Sequence, residues 1–380
     1  IQRKMATITI HPVLFNKKHT FRQQPADEFG LKVGVFFSGK LKLRHVRDVS
    51  HYRQDFLDSI FKRHHIAAIG SILLAFIFLI AMGFLLENRY FEMPAAASIL
   101  IFFAVMTAVI GSLTYFLASW SLPAAIILLL LFNFLYQHEV IDPRNKAYGI
   151  DYVNQDDPAY DKPSLQAICT PEKVKADKAS MIGILDKWKA RQQQEKPVMI
   201  FINVSGGGLR SAAFVMNALQ KIDSITGGKL MKQTFLISGA SGGMLAASYY
   251  RELYRMKLNG HPLNLAHERY TDRIAGDLLN PVFTSMIARD IFAPTQKFRV
   301  GDFSYVKDRG YAFEKKLSDN TNGVLNKQLK DLVADDREAR VPLIIFNSVI
   351  KSDGRKMMIG TQPLSFLMKP AFLSRSEEHT

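Results

Sequence analysis

The sequence is poor in cysteine, with Cys169 as its single example in 380 residues. One cysteine excludes a disulfide scaffold and a zinc site built from several thiolates. Acidic residues are also outnumbered, 34 against 49 Lys and Arg, which leaves a formal net charge of +15. Because 48% of the residues are hydrophobic, a disordered or collagen-like chain is excluded as well. The length predicts two or three domains.

Charged residues are almost absent between Ile66 and Tyr136. The run from Ile66 to Leu86 holds 21 uncharged residues, about 31 Å as a helix, enough to cross the core of a bilayer. A second uncharged run, Pro94 to Gln137, is interrupted at Pro123 and is interpreted as two helices, Ala95 to Ala118 and Leu122 to Tyr136. The sequence therefore predicts a transmembrane region of about three helices over residues 66–136.

Residues 1–65 are basic, with 13 Lys and Arg against five Asp and Glu. Because this excess lies directly before the hydrophobic block, anionic lipid and the positive-inside rule explain it, and no nucleic-acid partner is expected. We expect an integral membrane protein, of a bacterial inner membrane, with the lipid bilayer as partner. The basic residues that follow the helices leave its orientation open.

The two ends of the chain look unusual. The first residue is Ile1, so the basic N-terminal region is expected to be incomplete. Residues 374–380 are polar and resemble a translated sequencing adapter, and we expect them to be a non-native tail.

Residues 137–196 are polar and contain Asp and Pro, and are interpreted as a connector with one helix, Lys175 to Gln194. The apolar run from Val198 to Val204 has the length of a strand buried on both faces. A pattern with one apolar helical face follows from Ser211 to Thr226. The same order then recurs, with a strand at Thr234–Ser238 and a helix at Met244–Met256. This repeat predicts an α/β domain with a parallel sheet.

Two glycine clusters lie at the predicted strand-to-helix turns. Gly239-x-Ser241-x-Gly243 has the pattern of a nucleophile elbow, in which a sharp turn exposes a serine hydroxyl at a helix N-terminus. The run Gly206–Gly208 presents consecutive backbone N–H groups beside another helix N-terminus, where an anion is favoured. Together they predict a nucleophile and an oxyanion hole.

Arg210 follows the Gly206–Gly208 run almost directly. A cation in the first turn of a helix opposes the helix dipole by about 0.3–1 kcal/mol, so its position calls for a compensating contact. Contact with an anionic substrate group, or a salt bridge that orders the glycine loop, would provide one. A solvated arginine without a role is the alternative.

The motifs Ser-Gly-Gly-Gly-Leu-Arg-Ser, at Ser205 to Ser211, and Gly-Ala-Ser-Gly-Gly, at Gly239 to Gly243, resemble the patatin-like phospholipases. More distantly they are similar to cytosolic phospholipase A2, and the resemblance covers about Pro197 to Pro370. It implies a three-layer α/β/α catalytic domain over residues 197–373, truncated at its C-terminus. It also implies a lipid acyl hydrolase that acts through a Ser–Asp dyad, with no cofactor and no metal. The residues that it carries over are the nucleophile Ser241 and the oxyanion-hole residues Gly206, Gly207 and Gly208. By the general geometry of a nucleophile elbow, the N–H of Gly242 would add a further donor.

Histidine is scarce after Ser241. Before the tail only His261 and His267 occur, and both are interpreted as surface or loop residues. A Ser–Asp–His triad would place its histidine far downstream, so the inventory agrees with a dyad that lacks histidine.

The aspartate of the dyad is where the sequence departs from the family, which has an Asp-Gly-Gly or Asp-Gly-Ala motif. The only Asp-Gly is Asp353-Gly354, between predicted strands at Pro342–Ile350 and Lys356–Gly360. Asp-Gly between two strands is typical of a hairpin turn. We favour the turn, keep Asp353 as the alternative dyad residue, and expect the dyad aspartate beyond residue 380. This chain alone would then lack its proton acceptor.

Three functions compete on these residues. The first is a membrane-anchored serine lipid acyl hydrolase. The second is a nucleotide-binding protein, but Gly206-x-Gly208-x-x-Ser211 lacks the third glycine of that motif, and no P-loop pattern is present. The third is a non-catalytic, membrane-bound lipid-binding or regulatory module with a patatin-like fold.

Overall fold

A computed structural model describes residues 35–37, 42–45, 51–88, 93–117, 120–138, 146–149, 160–291, 296–351 and 353–368. Most of the predicted basic N-terminal region and the whole predicted tail lie outside the described residues. The chain divides into two compact units. The first comprises Ile1–Ala147, Asn280–Val300 and Ser304–Arg309, and the second comprises Tyr148–Leu279, Gly301–Phe303 and Gly310–Thr380.

The first unit is dominated by the hydrophobic segments, which are helical as predicted. They form helices α1 (Gln54–Leu85), α2 (Ala95–Leu117) and α3 (Ser121–Gln137). Helix α1 begins 12 residues before the predicted start, because the polar segment that precedes Ile66 continues the helix. The other elements are strands β1 (Val35–Phe37), β2 (Leu43–His45), β5 (Lys297–Val300) and β6 (Phe303–Val306), helix α10 (Leu279–Ser285) and a π-helix at Met286–Ile291.

The sequence predicts that these three helices cross a membrane. In the part of the chain that the structure describes, no helix combines the length and the apolar character that crossing a membrane requires. The transmembrane part of the prediction is therefore not confirmed.

The second unit contains a four-stranded sheet in the order β3-β4-β7-β8. Its strands are β3 (Ile200–Val204), β4 (Thr234–Gly239), β7 (Leu343–Val349) and β8 (Lys356–Gly360). Strand β4 pairs with β3 and β7 in parallel, and β8 pairs with β7 in antiparallel. The predicted parallel α/β sheet is therefore confirmed, with an antiparallel strand at one edge.

Helices cover both faces of this sheet. Helices α6 (Gly208–Ile225) and α8 (Ser241–Leu258) pack with Ile237 and Ile344 in the larger core. Helix α5 (Pro171–Gln192) packs on the other face, where its buried Ile184 and Trp188 contribute to a second core with Phe235 and Leu343. The shorter helices are α4 (Lys162–Ala167), α7 (Leu230–Gln233), α9 (Arg269–Ile274), α11 (Arg309–Asn320) and α12 (Val333–Arg337).

The position of α5 differs from the sequence interpretation, which assigns residues 137–196 to a connector. Trp188 is 4% exposed and its ring lies edge-on to that of Phe235, 6.0 Å away. The helix predicted at Lys175–Gln194 is confirmed, with an earlier start at Pro171, but its packing on the sheet is not evident from its strongly charged sequence.

A buried network of charged side chains holds the C-terminal half of α8 in place. Arg251 is 1% exposed, and its guanidinium donates to the Pro342 carbonyl and to the Glu252 carboxylate, each at 2.7 Å. It also donates to Asp336, which accepts a hydrogen bond from the Thr361 hydroxyl. Burial raises the pKa of Asp336 to about 6, although the Arg251 charge opposes that shift. The network ties α8 to the start of β7 and the end of β8.

Replacing Asp336 by asparagine is expected to destabilise the fold, because the buried Arg251 would keep only one of its two carboxylate partners, Glu252. We expect Asp336→Asn to lower the free energy of unfolding by about 3 kcal/mol in denaturant titrations. The matched control is Asp319→Asn, which removes an exposed ion pair to Lys315 and should change that free energy by less than about 0.5 kcal/mol. Equal effects of the two variants would contradict the assignment.

Candidate active site

The two glycine turns lie at the same edge of the sheet. Val204 ends β3 and Gly239 ends β4, and these two residues are paired in the parallel ladder. Because the strands run in the same direction, the turns that follow them emerge side by side at the carboxyl edge, where open α/β sheets bind ligands. The structure thus brings the two predicted motifs together.

Ser241 occupies a strained backbone conformation at this edge. It is the first residue of α8 and has φ of +58°, in the left-handed region that residues with a side chain avoid. Such a conformation costs about 1–2 kcal/mol for a residue other than glycine. Ser241 is also exposed. The sequence prediction started this helix at Met244, whereas its first turn already includes the serine.

The glycines on either side of Ser241 allow β4 and α8 to approach the end of β3. A Cβ on Gly239 would overlap the carbonyl oxygen and the side chain of Val204. A Cβ on Gly243 would overlap the carbonyl oxygen of Ser205. Both positions therefore need glycine for steric reasons, as the elbow pattern predicts.

The N-termini of α6 and α8 are in direct backbone contact. A Cβ on Gly242 would overlap the carbonyl group of Gly208, the first residue of α6. A Cβ on Gly206 would lie 3.1 Å from the Ser241 Cβ and 3.4 Å from its Oγ. The glycine loop therefore lies beside the Ser241 hydroxyl.

The backbone of this loop offers free hydrogen-bond donors. Among the described residues, no group accepts a hydrogen bond from the N–H of Gly206 or Gly207, and both glycines are exposed. Gly207 and Gly208 have φ of +143° and +60°, which residues with a side chain rarely adopt. As the first residue of α6, Gly208 has no intrahelical acceptor for its N–H. Together with the positive ends of two 18-residue helices, these groups form a cradle for an anion.

Arg210 lies in the first turn of α6 and its side chain is exposed. In the described part of the chain it forms no salt bridge, so the predicted ion pair that would order the loop is not observed there. Contact with an anionic substrate group stays a prediction.

Asp353 lies in the hairpin turn between β7 and β8, as the favoured interpretation expected. Its carboxylate accepts hydrogen bonds from the Tyr160 hydroxyl at 2.7 Å and the Arg355 backbone N–H at 3.0 Å. The Arg355 N–H and the Tyr160 hydroxyl lower the pKa of Asp353. These contacts stabilise a turn, and Ser241 is not among its hydrogen-bond partners.

No described histidine or carboxylate is hydrogen-bonded to the Ser241 hydroxyl. His261 and His267 are exposed, and the His267 Nδ1 accepts a hydrogen bond from the Arg269 backbone N–H. The proton acceptor of the proposed dyad is therefore not identified among the described residues.

Two polar side chains beside the site were missed at the sequence level. The Ser211 hydroxyl donates to the Ser205 carbonyl oxygen at 2.9 Å, within the glycine loop. The Asn347 amide donates to the Ser238 hydroxyl at 2.9 Å and links β7 to β4 just before the elbow. The polar pair Asn347-Ser348 at the end of the apolar run of β7 was the available signal for Asn347. Ser211 ends the Ser205–Ser211 motif, but the sequence assigns its side chain no role, because serine is common near helix N-termini.

The backbone contact between the two turns predicts the effect of a single methyl group. Gly242→Ala should force the turns apart, lower the unfolding temperature and abolish any reactivity of Ser241. The control is Gly183→Ala in α5, where nothing lies within 4 Å of the added Cβ. This control should raise the stability by about 0.5–1 kcal/mol in thermal unfolding. A Gly242→Ala protein as stable as the control would refute the close contact.

Comparison of the chain with models of protein families, with curated proteins and with solved structures finds no match. The functional argument therefore depends on geometry. An exposed serine in a strained turn, free amide donors and two helix N-termini meet at the carboxyl edge of a parallel sheet.

Proposed function

We propose that the protein is a serine-dependent acyl hydrolase of the patatin-like type, which cleaves carboxylic esters of lipids. The observation that carries the proposal is the position of Ser241, strained, exposed and beside a loop with unpaired N–H groups. Strain of this kind persists where the surrounding structure imposes it, and it is common at catalytic residues.

The reaction would proceed in two steps. The Ser241 Oγ attacks the ester carbonyl carbon, its proton passes to a carboxylate, and the carbonyl oxygen becomes an oxyanion. The N–H groups of Gly206–Gly208 and Gly242 stabilise that oxyanion, and each such donor typically contributes a hundredfold to a thousandfold in rate. The proton then reaches the leaving alcohol, and water hydrolyses the acyl-enzyme and frees Ser241.

The apolar surface of the first unit supports a lipid substrate and attachment to a membrane. Helix α3 has no buried residue, and Leu122 and Leu129 are 70% and 69% exposed. Contiguous apolar surface of this kind indicates a lipid or protein contact. Because lipid surfaces are often anionic, the excess of basic residues in the chain is compatible with this setting.

A non-catalytic lipid-binding or regulatory module with the same fold is the second candidate. It is favoured by one observation: no described carboxylate is hydrogen-bonded to Ser241. The two candidates differ in chemistry, because only the hydrolase requires a reactive serine.

The hydrolase proposal predicts covalent labelling of Ser241. The full-length protein should react with a fluorophosphonate probe, and Ser241→Ala should abolish the labelling, because the probe modifies activated serine hydroxyls. Labelling is read from gel fluorescence and from the mass of the modified peptide.

The matched control is Ser224→Ala, which removes an exposed hydroxyl in the last turn of α6 and should leave labelling unchanged. Labelling that survives in Ser241→Ala would eliminate Ser241 as the nucleophile. A folded wild-type protein that binds lipid vesicles but takes up no probe would favour the non-catalytic module.

Arg210 should separate substrates by charge. We expect Arg210→Gln to lower kcat/KM for a phospholipid about ten- to hundredfold, since a hydrogen bond to a charged group contributes about 1.5–3 kcal/mol. Hydrolysis of an uncharged ester, p-nitrophenyl butyrate, should change little. An equal loss on both substrates would instead assign Arg210 to the ordering of the glycine loop.

A further inference from the structure

Ser211 forms two hydrogen bonds to the loop that carries Gly206–Gly208. Its hydroxyl donates to the Ser205 carbonyl oxygen at 2.9 Å, and its backbone N–H donates to the Gly207 carbonyl oxygen at 3.4 Å. One residue in the first turn of α6 therefore holds two carbonyl groups of the loop that precedes this helix.

These two hydrogen bonds fix the direction of two amide donors. In a planar trans peptide the C=O and N–H groups point in opposite directions, and no described peptide is cis. When Ser211 holds the oxygens of Ser205 and Gly207, the N–H groups of Gly206 and Gly208 point away from Ser211. Gly206 and Gly208 are themselves exposed.

The surrounding glycines leave room for the Ser211 side chain. A Cβ on Gly207 would lie 2.9 Å from the Ser211 Cβ, and a Cβ on Gly243 would lie 3.1 Å from the Ser211 Oγ. A Cβ on Gly243 would also overlap the Ser205 carbonyl oxygen. The hydroxyl of Ser211 thus lies where the loop meets the elbow.

The geometry points to Ser211 as the positioning residue of the oxyanion loop, whose hydroxyl orients the N–H of Gly206 through the Ser205–Gly206 peptide plane. The Gly208 N–H is oriented by the ordinary first-turn backbone bond of α6. This assignment depends on the proposed hydrolase function. Ser211 does not touch the reacting atoms, and it acts through the backbone. Without its hydroxyl, the Ser205–Gly206 peptide is free to rotate, because glycine follows it and imposes little restriction.

The test compares Ser211→Ala, which loses the hydroxyl, with Ser211→Thr, which keeps it. With p-nitrophenyl butyrate we expect Ser211→Ala to lower kcat about ten- to hundredfold at a nearly unchanged KM, because the oriented donors act on the transition state. Binding of a trifluoromethyl ketone, which forms an oxyanion on Ser241, should weaken by a similar factor. Ser211→Thr should recover most of both losses, and Ser224→Ala should change neither.

The outcomes separate this inference from the proposed function. If wild-type Ser241 is reactive and Ser211→Ala keeps the wild-type kcat, or loses only thermal stability with Thr as harmful as Ala, the positioning role is refuted and the hydrolase stands. If the wild-type protein takes up no fluorophosphonate, the hydrolase fails. The oxyanion role of Ser211 fails with it, and the crystal structure of Ser211→Ala then tests only the orientation of the loop, which an unchanged Ser205–Gly206 peptide plane would refute.

Discussion

The site depends on one steric constraint: the two strand-to-helix turns, after β3 and after β4, must pack with their backbones in contact. At Gly239 the close neighbour is Val204, and at Gly242 it is the carbonyl group of Gly208. Any side chain at these positions would separate α6 from α8 and β4 from β3. Because the contacts involve main-chain atoms, a change of rotamer could not relieve the overlap.

This close approach has an electrostatic consequence. It places the N-termini of two 18-residue helices side by side, so that their unpaired N–H groups and positive dipole ends reinforce one another. Two like partial charges at short range are unfavourable until an anion lies between them. Under the proposed function, an oxyanion on a substrate attached to Ser241 would supply that charge, and the site would then favour the transition state over the ester.

Hydrophobic periodicity predicted most of the second unit. Strand β8 has the predicted bounds, and β4, β7 and α6 differ by one to three residues at their ends. The predicted starts of α6 and α8 lie three residues after the observed ones, because glycine-rich sequence is typical of loops. In the structure, Gly208 and Ser241 are the first residues of these helices. Helix α5 was predicted, but its packing on the sheet was not, since two buried apolar turns are difficult to detect in a charged segment.

The candidate site was predictable to the extent that it depends on glycine. Gly206–Gly208 and the elbow around Ser241 converge because each follows a strand, and these parallel strands end at a common edge of the sheet. The order of strand, glycine turn and helix along the sequence is enough to predict this. The Ser211 hydrogen bond was not predictable, since it depends on a carbonyl direction inside the loop. The proton acceptor was not found either, because a dyad partner is set by distance in space and not by its separation along the chain.

The strain at Ser241 distinguishes the two candidate functions on physical grounds. A left-handed residue at the start of α8 could be glycine, which would remove about 1–2 kcal/mol of unfavourable backbone energy. A module that only binds lipid through its fold gains nothing from a hydroxyl held in that conformation. A hydrolase needs the hydroxyl there, because the same turn that strains the backbone exposes Oγ beside the Gly206–Gly208 loop. The strained serine is therefore better explained by catalysis than by binding.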